Sequence, residues 1–405
     1  MSDFLPEDVV VHILSRLPTK SLIRFRSVSK LWNSLITSPN FINSQSLTNP
    51  KNSYDNLPLL KLRQCIVDDE LFEHYKLVFI DTRDGDNTFD EYLEIPFPFN
   101  IRRHHIYDLV GYVKGLFCFF EPDNSFLWNP SIGESISLPK PGITKSGSLW
   151  KYVGFGFDSR TNDYKVVIIT SLCGTKPSEV VDIHVYSLNA GSWKVSNGAG
   201  DSFPLGFRPQ MSGSPSACLE GAIHFVIFAA KYRGNRSARL ICSFDLGDEV
   251  FRTISLPGVF SDAMTEIKTI VFRGLLSVFC HDPNKFCSIW IMKEYGLVDS
   301  WYKYVKVDLI GGIKRVLGIR KNGHILLEGD GPRRGGKRRR DVPRHWELSS
   351  YDPWNKEITK LGIHGILGLF HVDIFEENLI LLDKTDVPVS GRGGSRKRKD
   401  MQSQH

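Results

Sequence analysis

His104 and His105 are the sole adjacent histidine pair in this 405-residue sequence. A metal site would need a second cluster of His, Cys, Asp or Glu at ligand spacing, and none accompanies them, so the pair reads as part of a solvated loop and no metal is expected. Cys280 and Cys287 bracket His281 in "CHDPNKFC". A thiolate pair is one reading, but two strands about a tight hairpin turn explain the spacing better. "GFGFD" (154–158) is glycine-rich, yet it reads as strand and not as the strand-to-helix loop that cradles a phosphate. There is no G-x-S-x-G and no H-E-x-x-H. These residues point to no cofactor and to a chain without catalytic residues.

The elements around them decide what the chain is built for. Hydrophobic residues make up 41% and charged residues 24%, as in globular proteins that bury a large core. Seven scattered cysteines without a C-x-x-C suit reduced thiols in an intracellular protein. No apolar run approaches the roughly 18 residues of a membrane span, and the N-terminus does not read as a signal peptide. The net charge of +6 is concentrated in two short runs. "GPRRGGKRRRDVPR" (331–344) carries +6 and "GRGGSRKRKD" (391–400) carries +4, so the rest of the chain is net −4. Lys337, Arg338, Arg339, Arg340, Arg396, Lys397, Arg398 and Lys399 form two blocks of four cations flanked by glycine. Such blocks self-repel, so both are expected to be exposed, in an insertion at 331–344 and a tail at 386–405. They suit nuclear import, which implies residence in both cytoplasm and nucleus.

"LPEDVVVHILSRLPTKSLIRFRSVSKLW" (5–32) stands apart. Pro6 suits the first turn of a helix, and Glu7 and Asp8 favour its positive end. Val10, Ile13, Leu14 and Leu17 follow a helical stripe, and Pro18 ends it. Thr19 is a candidate cap for a second helix bearing Leu22 and Phe25. A third would carry Val28, Leu31, Trp32, Leu35 and Ile36, with Phe41 and Ile42 beneath. Three short helices in about 45 residues hold more apolar side chains than they can hide, which suggests an adhesion module for a partner or a helical cap on the larger domain. The stretch resembles an F-box, the motif that docks on the Skp-type adaptor of cullin–RING ubiquitin ligases. The pattern appears here as Leu5-Pro6, Ile13-Leu14, Leu17-Pro18, Leu22 with Arg26, and Val28-Ser29-Lys30-Leu31-Trp32. The resemblance implies adaptor contact through Leu5, Pro6, Ile13, Leu14, Leu17, Pro18, Leu22, Arg26, Val28, Lys30 and Trp32, with Arg26 and Lys30 as rim charges. It bounds the module at 1–47, before a polar linker at 48–56.

Beyond the linker, short alternating strands and turn clusters fill 57–385. An x-Gly-x-apolar strand pair recurs at Lys114-Gly115-Leu116, Glu220-Gly221-Ala222, Arg273-Gly274-Leu275 and Asn322-Gly323-His324. The later glycines are 53 and 49 residues apart, and the first gap of 106 is about twice that. A period near 50 with four strands per unit is the pattern of a kelch-like β-propeller, here of about six blades. "LFHVDIFEENLILL" (369–382) is placed to complete the first blade and close the ring, giving a β domain expected to fold independently of the helices. "GFGFDSRTNDYKVV", "VYSLNAGSW", "LEGAIHF" and "WIMKEYGLVDSW" resemble the F-box associated interaction domain of plant F-box proteins, including S-locus and kelch-related members; Phe225 stands where that family usually has Trp. The fold class is therefore mainly β, with a three-helix N-terminal module.

The combined resemblance implies a non-catalytic substrate receptor of an SCF-type ubiquitin ligase. Its partners would be a Skp-type adaptor, through it a cullin and a RING protein, and an unidentified protein target. A nucleic-acid-binding protein using the Arg/Gly-rich runs is the alternative, opposed by the net negative body. A propeller enzyme would need an acidic pair or metal cluster that the sequence lacks.

Overall fold

In a computed structural model of the chain, the described residues are 6–48, 58–65, 71–79, 91–95, 108–121, 125–143, 149–172, 180–196, 203–204, 208–209, 216–232, 236–257, 266–282, 286–320, 322–331, 346–365, 370–374 and 376–381. Leu5, His104, His105, most of the 331–344 insertion and the basic tail lie outside them.

Four helices open the chain: α1 (Glu7–Leu14), α2 (Thr19–Phe25), α3 (Lys30–Ile36) and α4 (Pro39–Thr48). The expected three are thus joined by a fourth. Phe41 and Ile42 are buried in its first part, and the remainder, polar apart from Leu47, resembles linker in composition. Pro6 caps α1 from outside, its carbonyl accepting from the Val9 and Val10 amides at 3.0 and 3.1 Å. Thr19 is the first residue of α2, with Pro18 in the cap position. Side-chain caps come from Ser29, whose Oγ accepts from the Trp32 amide at 3.1 Å and starts α3, and from Ser38, whose Oγ accepts from the Phe41 amide at 3.3 Å ahead of α4.

Six antiparallel sheets follow. The first holds β1 (Pro58–Cys65), β2 (Leu71–Phe79) and β3 (Glu91–Ile95). The second holds β4 (Asp108–Val113), β5 (Leu116–Phe120), β6 (Phe126–Asn129) and β7 (Glu134–Ser137). The third runs through β8 (Leu149–Asp158), β9 (Asp163–Leu172), β10 (Val180–Ser187) and β11 (Ser192–Val195). The fourth comprises β12 (Arg208–Pro209), β13 (Ala217–Leu219), β14 (Ala222–Tyr232), β15 (Arg236–Asp245) and β16 (Phe251–Ser255). The fifth comprises β17 (Glu266–Phe272), β18 (Leu275–Asp282), β19 (Phe286–Met292) and β20 (Trp301–Asp308). The last comprises β21 (Ile313–Ile319), β22 (Ile325–Asp330), β23 (Trp346–Asp352) and β24 (Glu357–Gly365). These five sheets use strands in chain order, whereas the first is composite. β25 (His371–Ile374) pairs with β1, Leu60 opposite Val372, so the C-terminal segment supplies the strand that joins the ends of the ring.

The recurrent glycines sit where consecutive strands reverse. Lys114 and Gly115 have φ of 43° and 82°, Glu220 and Gly221 of 52° and 73°, Arg273 and Gly274 of 51° and 74°. Both central residues of a type I′ hairpin turn need positive φ, which is why glycine marks the same place in these three units; Gly323 shares the positive φ, at 90°, but Asn322 before it does not.

Neighbouring sheets pack face to face through their own apolar layers. Phe155, Val166 and Ile168 of the third sheet meet Leu116, Cys118 and Leu127 of the second. Val167, Ile169 and Val185 meet Ile223, Phe225 and Phe244 of the fourth. Further layers join the fourth to the fifth and the fifth to the sixth. Trp346 and Leu348 of the sixth sheet pack against Val372 of β25. This succession of stacked four-stranded units is a β-propeller preceded by a small helical module.

Candidate functional site

The helical module has two apolar faces with different fates. Val10, Leu14, Leu22, Ile36, Phe41 and Ile42 form its buried core, and Leu14, Leu22 and Ile36 have no exposed surface. Val9 (40%), Ile13 (47%), Val28 (59%) and Leu31 (50%) remain exposed, although burial of such side chains is favourable. The expected contact set therefore divides. Ile13, Val28, Pro6, Pro18 and Lys30 are at the surface, Leu17 and Trp32 are half-buried, and Leu14 and Leu22 are internal. The last two pack into the module's own core. Arg26 Nε donates to Asn33 Oδ1 at 3.0 Å, tying the end of α2 to α3. Trp32 packs edge-on against Phe25, ring centroids 5.5 Å apart. Val9 and Leu31 are exposed as well, although the sequence does not single them out, since nothing in an apolar stripe says which of its members a neighbour will cover.

The core of this module is completed from far along the chain. Leu379, with no exposed surface, and Ile380 lie among its helices, and Ile132 from the turn between β6 and β7 packs there too. Asn162, in the turn between β8 and β9, donates through Nδ2 to Asn43 Oδ1 at 3.0 Å. The helices therefore sit at the end of the propeller that carries the first-to-second and third-to-fourth strand turns.

The signature segments of the propeller serve packing. Gly154 and Gly156 lack the Cβ that would collide with Ile223, Leu246 and Cys218, so β8 lies close against the fourth sheet. "GFGFD" is thus an inter-sheet seam, as the strand reading expects. Asp158 is fully buried and accepts from Lys165 Nζ at 3.0 Å, Thr161 Oγ1 at 2.8 Å and the Arg160 amide at 3.1 Å. Burial would raise its carboxyl, but these bonds outweigh that and hold it at about 2. Lys165 Nζ also donates to Leu246 O at 2.7 Å, and Arg160 bridges to Asp245 and to Asp248, the latter at 3.0 Å. The indole of Trp193 donates to Pro139 O at 2.6 Å, and that of Trp301 to Ser255 O at 3.1 Å. In both cases the outermost strand of one sheet is fastened to the end of the outermost strand of the sheet before it. Phe225, in place of the usual Trp, is buried and stacks on Tyr152 at 4.2 Å.

Cys280 and Cys287 lie on the paired strands β18 and β19, but they belong to different inter-sheet layers. Burial pushes both thiols up, Cys287 to about 12, so neither is a thiolate. At the propeller end away from the helices, β17, β18, β21 and β22 gather Glu266, Lys268, His281, Arg315 and Glu328. Lys268 is 3.3 Å from Glu266, Arg315 is 3.7 Å from Glu328, and the Val316 amide donates to His281 Nε2 at 3.5 Å. Burial holds His281 at about 4, so it is neutral among two acids and two bases that compensate one another. Among the described residues no group of three or more His, Cys, Asp or Glu could hold a metal ion, and no helix is long and apolar enough to cross a membrane.

This arrangement has counterparts. Residues 3–44 match the F-box domain, and residues 61–316 match the F-box associated beta propeller domain. An F-box/kelch-repeat protein of Arabidopsis thaliana is 26% identical, over 80% of this chain and 85% of its own. A second Arabidopsis F-box protein is 26% identical over 94% of this chain and 92% of its own. The Arabidopsis F-box protein CPR1 is 28% identical over 76% and 74% respectively. With both matched segments in order and the propeller match covering more than half its length, the chain belongs to the F-box proteins that carry an F-box associated β-propeller domain.

Proposed function

We propose that this protein is the substrate-recognition subunit of an SCF-type ubiquitin ligase. The observation that carries the reading is the uncovered apolar face of Val9, Ile13, Val28 and Leu31, held on a folded F-box that is itself fixed to a propeller. An apolar patch of this kind is kept where another protein is to cover it. A Skp-type adaptor is the partner that F-box membership implies, and a cullin and a RING protein would follow through it. Lys30 is exposed next to Leu31 in the chain, and a rim charge there would set orientation more than affinity. The propeller would hold a target protein so that its lysines dwell near the conjugating enzyme. That role works by raising effective concentration and asks for no catalytic side chain here. The two basic blocks are proposed to direct part of the population to the nucleus.

The test is co-elution of the purified chain with a purified Skp-type adaptor on size exclusion. The expected result is a 1:1 complex that is lost when Ile13 and Val28 are both changed to Asp, because each substitution places a charge in the covered face. A complex that survives the double change would remove this face from the reading.

A further inference from the structure

Residues 376–381 leave the ring-closing strand β25 and run directly into the F-box. Every step of that path is fastened. The Glu376 amide donates to the Tyr112 hydroxyl at 2.6 Å. Asn378 is buried, and its Nδ2 donates to Lys114 O at 2.5 Å. Its Oδ1 accepts from Asn129 Nδ2 at 2.6 Å and from the Ile380 amide at 3.0 Å. Asn129, fully buried, donates also to Ile380 O at 2.8 Å, and its Oδ1 accepts from the Ser131 amide at 2.9 Å. Gly115 has φ of +82°, and a Cβ there would overlap the Asn378 side chain, so the turn between β4 and β5 is shaped to admit it.

Between these anchors the segment delivers two side chains to the helices. Glu377 faces the start of α2, its carboxylate accepting from the amide and hydroxyl of Thr19, with Lys20 nearby. Leu379 enters the core beside Leu14, Leu22 and Ile36. The F-box core is small, and a leucine with no exposed surface is a sizeable share of it. The residues that close the propeller and those that complete the F-box thus stand within ten positions of each other in the chain.

We propose that closure of the propeller by β25 is what completes the F-box, so that its helices reach full stability only after the ring has formed. The β domain is still expected to fold without the helices, whereas the helices depend on it. During synthesis the F-box emerges first and lacks Leu379; it is finished last, by the segment that seals the ring. A chain whose propeller fails to close then carries loosened helices and a disrupted docking face. The inference does not depend on which partner the helices bind.

Hydrogen exchange on the full-length chain tests it. Leu379→Ala should speed exchange in α1, α2 and α3 by about thirtyfold, the equivalent of ~2 kcal/mol at ~1.4 kcal/mol per decade, while β17–β20 keep their protection. His371→Pro and Val372→Pro are made separately. Successive residues of an antiparallel strand alternate in direction, so one of these two amides faces β1. That variant leaves every F-box contact in place yet should loosen both β1–β3 and the three helices. Loss of protection in β1–β3 with unchanged helices would overturn the coupling. Unchanged helices in Leu379→Ala would overturn the shared core itself.

Discussion

Ile13 and Leu14 are neighbours in α1 and should behave as opposites. Leu14 has no exposed surface and lies in the core that the helices share with Leu379. Truncation to Ala removes buried methyl groups and leaves a cavity, a change that costs ~2–5 kcal/mol in stability. Ile13 is 47% exposed. Full burial of such a side chain is worth ~1.5–3 kcal/mol, so roughly half, ~0.7–1.5 kcal/mol, is still to be gained when a partner covers it. Ile13→Ala should therefore leave the urea midpoint nearly unchanged and weaken adaptor binding about three- to tenfold. Ile13→Asp should abolish it, since desolvating an unpaired carboxylate exceeds what the contact returns. Leu14→Ala should lower the midpoint and weaken binding only as far as the helices loosen. Calorimetric titration of each variant with the adaptor, beside urea unfolding followed by helical circular dichroism, gives both quantities. The reasoning is refuted if Ile13→Ala destabilises as much as Leu14→Ala, or if Ile13→Asp titrates like the parent.

Asp158→Asn leaves Lys165 buried without a compensating charge and should cost ~3–5 kcal/mol in urea unfolding; a loss below ~1 kcal/mol would show that water reaches the seam. Trp193→Phe and Trp301→Phe each remove one indole donor, and both should lose ~1 kcal/mol, because the two bonds fasten equivalent strands. His224 is fully buried, its Nε2 within 2.7 Å of the Tyr295 hydroxyl, and burial holds it at about 4 against 6.5 for a free side chain. The unfolded chain therefore binds the proton more readily: this stability is complete above about pH 6.5 and is lost as pH falls toward 4. Unfolding at pH 5 should show ~2 kcal/mol less stability from this residue than at pH 7.5, and His224→Gln should flatten that part of the slope. Replacing the eight cations of the two basic blocks with Gln should shift a fluorescent fusion toward the cytoplasm and leave adaptor binding intact; an unaltered distribution would remove the import proposal.

The strand pairs were readable because their turns constrain residue type. Positive φ at Gly115, Gly221 and Gly274 leaves a chemical mark at three of the repeats. The helical module was readable for the same reason, through its prolines, whereas the Ser29 cap was not foreseen. What stayed hidden depended on distance along the chain. Asn378 and Leu379 look like any polar–apolar pair, and their meaning comes from Asn129 and Leu14, about 250 and 365 residues earlier. The split between Leu14 and Ile13 was hidden too, since helical periodicity marks a wide apolar sector without saying which part a neighbour covers. The helix α4 escaped because its polar last turns carry no stripe, and its position is fixed by Phe41, Ile42 and the Asn43–Asn162 bond.

The helices dock on the propeller end that is built from tight turns, such as Lys114–Gly115 and Arg160–Asn162. The second-to-third strand connections, including the one between β22 and β23 that bears the first basic block, depart from the other end. The two rims are thereby free to change at different rates. Under the proposed receptor role, substitutions at the far end would change the target gripped without moving the helices, so target choice and the angle of presentation would vary separately among relatives.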